Sequence, residues 1–220
     1  MGDEELEAGI RGKLVAVKQA WARAGRLLTG APDEEHAHRL PPGQRLVTNW
    51  PVLDLGIQPD VPRDDWRLVV DGAVVNPIEW DWAALNAQPK FEDVSDIHCV
   101  TQWSKYDNRW TGVSTQHLLS VVQPLPGAAH VILHGYDGYT TNVRLEHFAE
   151  DDCLLAHSHD GVPISREHGG PVRVIIPRYY LWKSAKWLKR IEFVPADKPG
   201  FWETRGYHNE GDPWTEQRYG

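Results

Sequence analysis

The sequence predicts an α+β domain built of mixed β-sheets with short peripheral helices. Three observations predict it. Short, β-branched runs bounded by Gly, Pro or Asp recur from Trp66 onward. Only brief helical patterns lie between them, which disfavours the regular strand–helix alternation of a doubly wound parallel sheet. The length, 220 residues, suits one domain or two small ones.

Taken in order, Leu6, Ile10, Leu14, Val17, Trp21 and Leu28 recur at steps of mostly three and four, with Ala24 filling a gap. They predict an N-terminal helix from about Glu4 to Leu28, weakened by Gly9, Gly12 and Gly25, whose apolar side docks on the main body or on a partner subunit. Ala31 to Gln44 reads as a linker, so residues 1–44 form an N-terminal helix and linker. Within it His36 and His38 stand at a spacing open to a metal, but two histidines without a third ligand read first as solvated loop residues. The domain proper is expected over residues 45–200. Its strands are read at WRLVVDGAVV, EDVSDI, HVILHGYD, PVRVIIP and RIEFVP. Short helices fit DWAALNA after Asp81, STQHLLSVV with Ser114 as N-cap, and RLEHFAED. Residues 201–220, polar and aromatic without periodicity, are expected to wrap over the surface as an ordered arm.

The composition excludes several function classes. The net charge of −8 argues against general nucleic-acid binding, which neutralises phosphates along a backbone. No run approaches the ~18 apolar residues of a membrane span. The acidic start does not read as a secretory signal, and Cys99 and Cys153 make no disulfide framework, so a cytoplasmic location is expected. Eleven tryptophans suit a thick core and the walls of a ligand pocket.

Charge is not evenly spread. Between Pro163 and Arg190 stand Arg166, Arg173, Arg178, Lys183, Lys186, Lys189 and Arg190 against the single acid Glu167. That window is +6 in a chain of −8, so the remainder carries −14. It opens on His168-Gly169-Gly170 and closes on a Lys-x-x-Lys pair. Exposed glycine amides beside Arg and Lys would make a phosphate cradle; a basic surface loop with one buried strand is the plainer reading.

A second segment, Ile97 to Ser114, carries Cys99 just after a predicted strand. Three readings are open for it: a small buried hydrophobe, a nucleophile activated by His98 or another histidine, or a thiolate ligand for a soft metal centre. With no neighbouring cysteine, a structural zinc site is disfavoured.

Together the two segments resemble the molybdopterin-binding domain of the sulfite oxidase family, from about Leu46 to Val194. The first has the family's cysteine with a downstream Trp110-Thr111-Gly112. The second has, in order, Gly161 to Pro163, His-Gly, Pro-x-Arg, a strand ending in Pro, and Lys-Trp-Leu. Their order and spacing are specific where no single item is.

The resemblance implies the sulfite-oxidase-type fold and one pyranopterin (molybdopterin) cofactor carrying molybdenum. Cys99 would be the metal's protein ligand. Arg173 and Lys186 would bind the pterin's terminal phosphate, joined by Ser184 through likeness to the sulfoxide reductases. His168 and Asn49 would line the cofactor. Tyr139, with Val143 four residues on, matches a tyrosine beside the metal that orients substrate or moves a proton; a hairpin tyrosine with its hydroxyl in water is the other reading, and Tyr136 is a nearby decoy. Lys183 is as readily a solvent-facing residue.

The chain also departs from sulfite oxidases. Their substrate-binding Arg is here Thr48, and their Asn-Arg-Arg after the cysteine is replaced by Val-Thr-Gln-Trp-Ser. A sulfite dianion needs fixed positive charge, and only Arg109 or Arg144 could compensate. The pattern Cys99-x-x-x-Trp103-Ser104 is instead similar to the catalytic subunit of bacterial protein-methionine-sulfoxide reductase, although the twin-arginine signal of those proteins is missing. Neither the cytochrome nor the immunoglobulin-like domain of animal sulfite oxidases is read here, so no haem is expected in this chain and electrons pass to or from a separate protein. The expected function is two-electron oxygen-atom transfer on a small-molecule substrate, first as reduction of an S-oxide or N-oxide. Oxidation of sulfite or another small anion, or a cofactor carrier role, are the alternatives.

Overall fold

The structure is a computed structural model and describes residues 3–24 and 35–220. The expected N-terminal helix is present as α1 (Asp3–Ala24); its extension to Leu28 and the linker residues 31–34 lie outside the described residues.

Two mixed sheets share one hydrophobic core. In the first, β1 (Arg45–Leu46), β5 (Trp103–Ser114), β8 (Leu154–His159) and β10 (Arg173–Ile175) lie side by side, with β4 (Phe91–Cys99) also on β5 and β9 (Val162–Pro163) on β8. The second runs β3 (Ile78–Asp81), β2 (Arg67–Gly72), β11 (Leu188–Val194), β6 (His130–Gly135), β7 (Thr140–Arg144). β1 on β5 and β2 on β11 are parallel; the other pairings are antiparallel.

The short helices fall where their caps predict. α2 (Trp82–Asn86) starts at Asp81, whose carboxylate accepts from the Ala84 amide at 2.7 Å. α3 (Thr115–Val122) starts at Ser114, which accepts from the His117 amide at 3.1 Å and so satisfies one amide the helix leaves open. α4 (Leu145–Phe148) is a single turn, shorter than RLEHFAED suggests.

The longest strand, β5, escapes a hydrophobic reading because part of its inward face is polar. Ser104 and Asn108 are fully buried there. The Asn108 amide donates to the Ser95 and Lys105 carbonyls at 3.1 and 2.8 Å, so burial costs little. At Gly112, of the Trp-x-Gly signature, β8 comes so close that an added Cβ would lie 2.0 Å from the Leu155 carbonyl oxygen. Gly112→Ala must prise two strands apart and is expected to cost about 1–3 kcal/mol, read as a lower urea midpoint.

The C-terminal arm does more than wrap the surface. Trp202 and Tyr207 are buried, and Glu203 reaches Lys183 Nζ at 2.6 Å with both side chains nearly inaccessible. Lys183 is therefore not solvent-facing. Its ammonium also donates to the Asn142 carbonyl and side-chain oxygens, both at 2.9 Å, which supplies the partners a buried charge needs.

Candidate active-site cavity

The end of β4, the hairpin turn between β6 and β7, the segment following β10 and the C-terminal arm converge on one cavity. It holds about 890 Å³ of empty space, its open mouth included. Trp50, Trp103, Trp182, Trp187 and Trp202 line it, so five of the eleven tryptophans serve as its walls.

Cys99 ends β4 and lines the cavity, buried. The turn to β5 closes through Gln102, whose amide donates to the Cys99 carbonyl at 2.9 Å and whose φ of +71° is left-handed. Gln102 is thus a turn former. The Cys99 Sγ lies 3.1 Å from the Thr101 hydroxyl. Burial pushes the thiol pKa up, against the Thr101 hydrogen bonds and the positive charges of Lys18 and Lys186, so metal binding would have to draw the proton off. Behind the cysteine, Gln44 donates to the same carbonyl at 3.1 Å. Ser104 joins Gln44 (3.4 Å) to His98 (2.8 Å).

Tyr139 also lines the cavity. Its hydroxyl is not in water: it donates to the Trp182 carbonyl at 2.6 Å. Burial, with Glu203 adding to it, pushes the phenol well above its usual range, so its proton is held, while the oxygen keeps lone pairs for an acceptor role. Tyr136 is off the cavity, with its hydroxyl bonded to the Arg67 backbone.

The cationic window divides sharply. Arg178, Arg190 and Lys183 pair with Glu150, Asp71 and Glu203. Arg166 bonds the Gln58 carbonyl, and Lys189 lies over the Tyr136 ring. Arg173 and Lys186 alone of the seven line the cavity. Arg173 is 2% exposed and donates to the His168 and Ser184 carbonyls at 2.8 and 2.9 Å, with no carboxylate partner among the described residues; burial lowers its pKa to about 9. Lys186 donates to the Leu53 and Glu167 carbonyls at 2.8 and 2.7 Å. Burial, then Arg173, lower it to about 7. An anion docking here would restore the charge and take up a proton near neutrality.

Ser184 lines the same end, its hydroxyl accepting from the Ile176 amide at 3.0 Å. His168 lines it too, stacked on Trp50 at 3.9 Å, and its Nδ1 is buried without a partner. The His-Gly-Gly turn does not cradle an anion with its amides. The Gly169 and Gly170 amides donate within the turn to Arg166 and Ser165, both at 3.0 Å. Gly169 is needed for a different reason. At φ +100° an added Cβ would lie 2.7 Å from Lys186 Cβ, so only glycine lets the lysine stem pass.

Asn49 is not brought to the cavity. It is exposed, and its neighbour Trp50 lines the wall instead. Thr48 and Arg109 are exposed, and Arg144 pairs with Glu210 at 2.6 Å; neither arginine lines the cavity. His36 and His38 are exposed, and no group of three or more metal-ligating side chains occurs among the described residues. Sequence reading missed Lys18, Thr101, Trp202 and Tyr207 as wall residues. Thr101 had a signal in its adjacency to Cys99; the others come from far along the chain.

A buried arginine without a counter-charge, a histidine nitrogen without a partner and a thiol on the same cavity fit a bound group that is anionic at one end and takes a soft donor at the other.

His98, His159 and His168 are held near 4, chiefly by burial. Below the ordinary value of about 6.5 the unfolded chain takes up protons that the folded chain refuses, so stability falls as pH drops from 6.5 toward 4. Urea midpoints are expected to fall through that window, with a shallower slope in His98→Asn.

Comparison with known proteins agrees with this chemistry. A family model described as the oxidoreductase molybdopterin-binding domain matches residues 55–202. The chain is 43% identical over 191 residues to the Bacillus subtilis protein named uncharacterized oxidoreductase YuiH, covering 85% of this chain and 95% of that one. It is 31% identical over 157 residues to the protein-methionine-sulfoxide reductase catalytic subunit MsrP of Burkholderia mallei, covering 63% of this chain and 46% of the relative. The fold is similar to that of the sulfane dehydrogenase SoxCD from Paracoccus pantotrophus, with a TM-score of 0.58, 18% identity, and coverage of 77% of this chain and 54% of the other.

Proposed function

The chain belongs to the molybdopterin-binding oxidoreductase family, and from that premise we propose that it reduces small S-oxides or N-oxides, with Cys99 as the protein ligand of its molybdenum. It is an enzyme of oxygen-atom transfer. When bound, molybdopterin supplies the metal at which two electrons and one oxygen atom are exchanged. Overall, the S-oxide takes two electrons and two protons and leaves as a sulfide and water.

The chain's own residues divide the work. Arg173 and Lys186 bind the cofactor's phosphate by charge-assisted hydrogen bonds. Ser184 shapes that end through its bond to the Ile176 amide, and His168 offers its unpartnered nitrogen. Cys99, as a thiolate, would be the metal's soft ligand. Tyr139 fixes the wall beside it through the Trp182 carbonyl. The electron donor is a separate protein.

One observation carries the choice of substrate. Trp103, Trp182, Trp202 and Tyr207 line the same cavity as Cys99, whereas Arg109 and Arg144 are exposed and do not. A wall so rich in aromatic rings, with its one arginine assigned to the cofactor's phosphate, suits an oxide of sulfur or nitrogen carrying at most one negative charge better than a sulfite dianion. MsrP, similar over its matching part, bears a name of the same reaction class.

The test is direct. Protein made in a molybdopterin-competent host is assayed with a reduced dye against dimethyl sulfoxide, methionine sulfoxide and trimethylamine N-oxide, then with sulfite and ferricyanide. Oxide reduction is expected to dominate. Faster turnover of sulfite would replace this reading with the oxidase alternative.

A further inference from the structure

The cavity wall includes one cation that neither the charged window nor its neighbours supply. Lys18, on α1, lines the cavity and is half-buried. Among the described residues it makes no hydrogen bond or ion pair. Asp54 is the carboxylate that acts on it, but that carboxylate is tied within its own loop, accepting from the Gly56 amide at 2.8 Å and from the Gln58 side chain at 2.6 Å. Burial holds Lys18 below an ordinary lysine, while Asp54 and Cys99 act in the opposite sense. A cation so placed is incompletely neutralised and faces space that a ligand can fill.

The helix that carries it is seated on three segments bordering the cavity. The Arg11 guanidinium donates to the Asp137 carbonyl at 3.3 Å and lies 5.1 Å over the Phe201 ring. Gln19 donates to the Arg205 carbonyl at 3.0 Å. Leu14 packs so tightly on Gly56 that an added Cβ there would lie 2.7 Å from it. Lys18 is therefore carried on a docked element, as the positioning of a binding group requires. Arg173 and Lys186 are assigned to the cofactor's phosphate, and Thr48 and Gln102 carry no charge, so Lys18 is the cation left over on the wall.

We infer that Lys18, delivered by α1, selects substrate by charge: it takes the anionic group of a small S-oxide or N-oxide whose oxide oxygen points to the Cys99 end. The inference rests on the reaction read above, and its test separates the two.

With molybdenum-loaded protein, kcat/KM is measured for methylsulfinylacetate, an anionic S-oxide, and for neutral dimethyl sulfoxide. Lys18→Met is expected to lower the anionic-to-neutral ratio by at least about tenfold, Lys18→Arg to restore most of it, and neither to change molybdopterin content. In parallel, methanesulfonate, an unreactive monoanion, is titrated by quenching of tryptophan fluorescence; its Kd is expected to rise by at least about tenfold in Lys18→Met. An unchanged ratio, an equal loss for both substrates, or a loss of cofactor would overturn the assignment. If the wild-type protein reduces neither S-oxide, the reaction reading fails, and the methanesulfonate titration alone decides for or against Lys18.

Discussion

Cys99→Ser is expected to leave the chain folded and its pterin bound, while the metal's optical bands and EPR signal change and oxygen-atom transfer falls by at least about 100-fold. The two halves of that expectation have different causes. Cys99 is buried at the end of β4, and a serine hydroxyl there would still meet the Thr101 hydroxyl that now lies 3.1 Å from the sulfur. The exchange is nearly isosteric and leaves no polar group stranded, so stability should move by less than about 1.5 kcal/mol. A thiolate is a far softer donor than an alkoxide, so the metal's electronic structure must respond. Unchanged spectra in a loaded Cys99→Ser protein would remove the cysteine from the metal and return it to the small buried hydrophobe the sequence also allows.

Arg173→Met is expected to lower molybdopterin retention by at least about 30-fold, the equivalent of roughly 2–5 kcal/mol for a lost buried charge partner. Arg173 has three carbonyl acceptors and, among the described residues, no carboxylate. A buried cation without a counter-ion is costly to keep, so a bound anion accounts for its presence. The sign of the stability change is diagnostic. In cofactor-free protein, Met in place of Arg removes a desolvation cost, and water in the cavity can reach the freed carbonyls. The thermal midpoint of the empty variant should therefore match or exceed that of the empty wild type, while the loaded forms rank in the opposite order. An empty Arg173→Met protein melting well below wild type would make Arg173 a strut of the fold and not an anion ligand.

How far the sequence reveals such a site depends on how locally its parts are encoded. Cys99 ends a strand signalled by its own residues, and Arg173, Ser184 and Lys186 fall within one short segment, so their grouping was visible before the fold. The three-residue step from Lys183 to Lys186 was not decodable. The chain makes a single 3-10 turn at Leu181–Lys183, and the two ammonium groups end on different partners, one on Glu203 and one facing the cavity. Asn49 stands exposed in a bend, where no periodicity fixes which side chain points inward, and its neighbour Trp50 lines the cavity. Strands β5 and β7 were hidden because buried Ser104, Asn108, Thr141 and Asn142 stand where alternation would put apolar residues, their cost offset by hydrogen bonds that only the folded chain provides. Lys18, Trp202 and Tyr207 reach the cavity from the two ends of the described chain, and nothing local announces such convergence.

The arm that follows Gly200 is the last part of this domain to be synthesised, yet Trp202 and Tyr207 are walls of the cavity and Glu203 neutralises the buried Lys183. While those residues are still inside the ribosome, the nascent domain has an open chamber and an unpaired interior cation. A chain that has not yet packed the arm therefore lacks both the closed chamber and the neutral interior that the cofactor site requires.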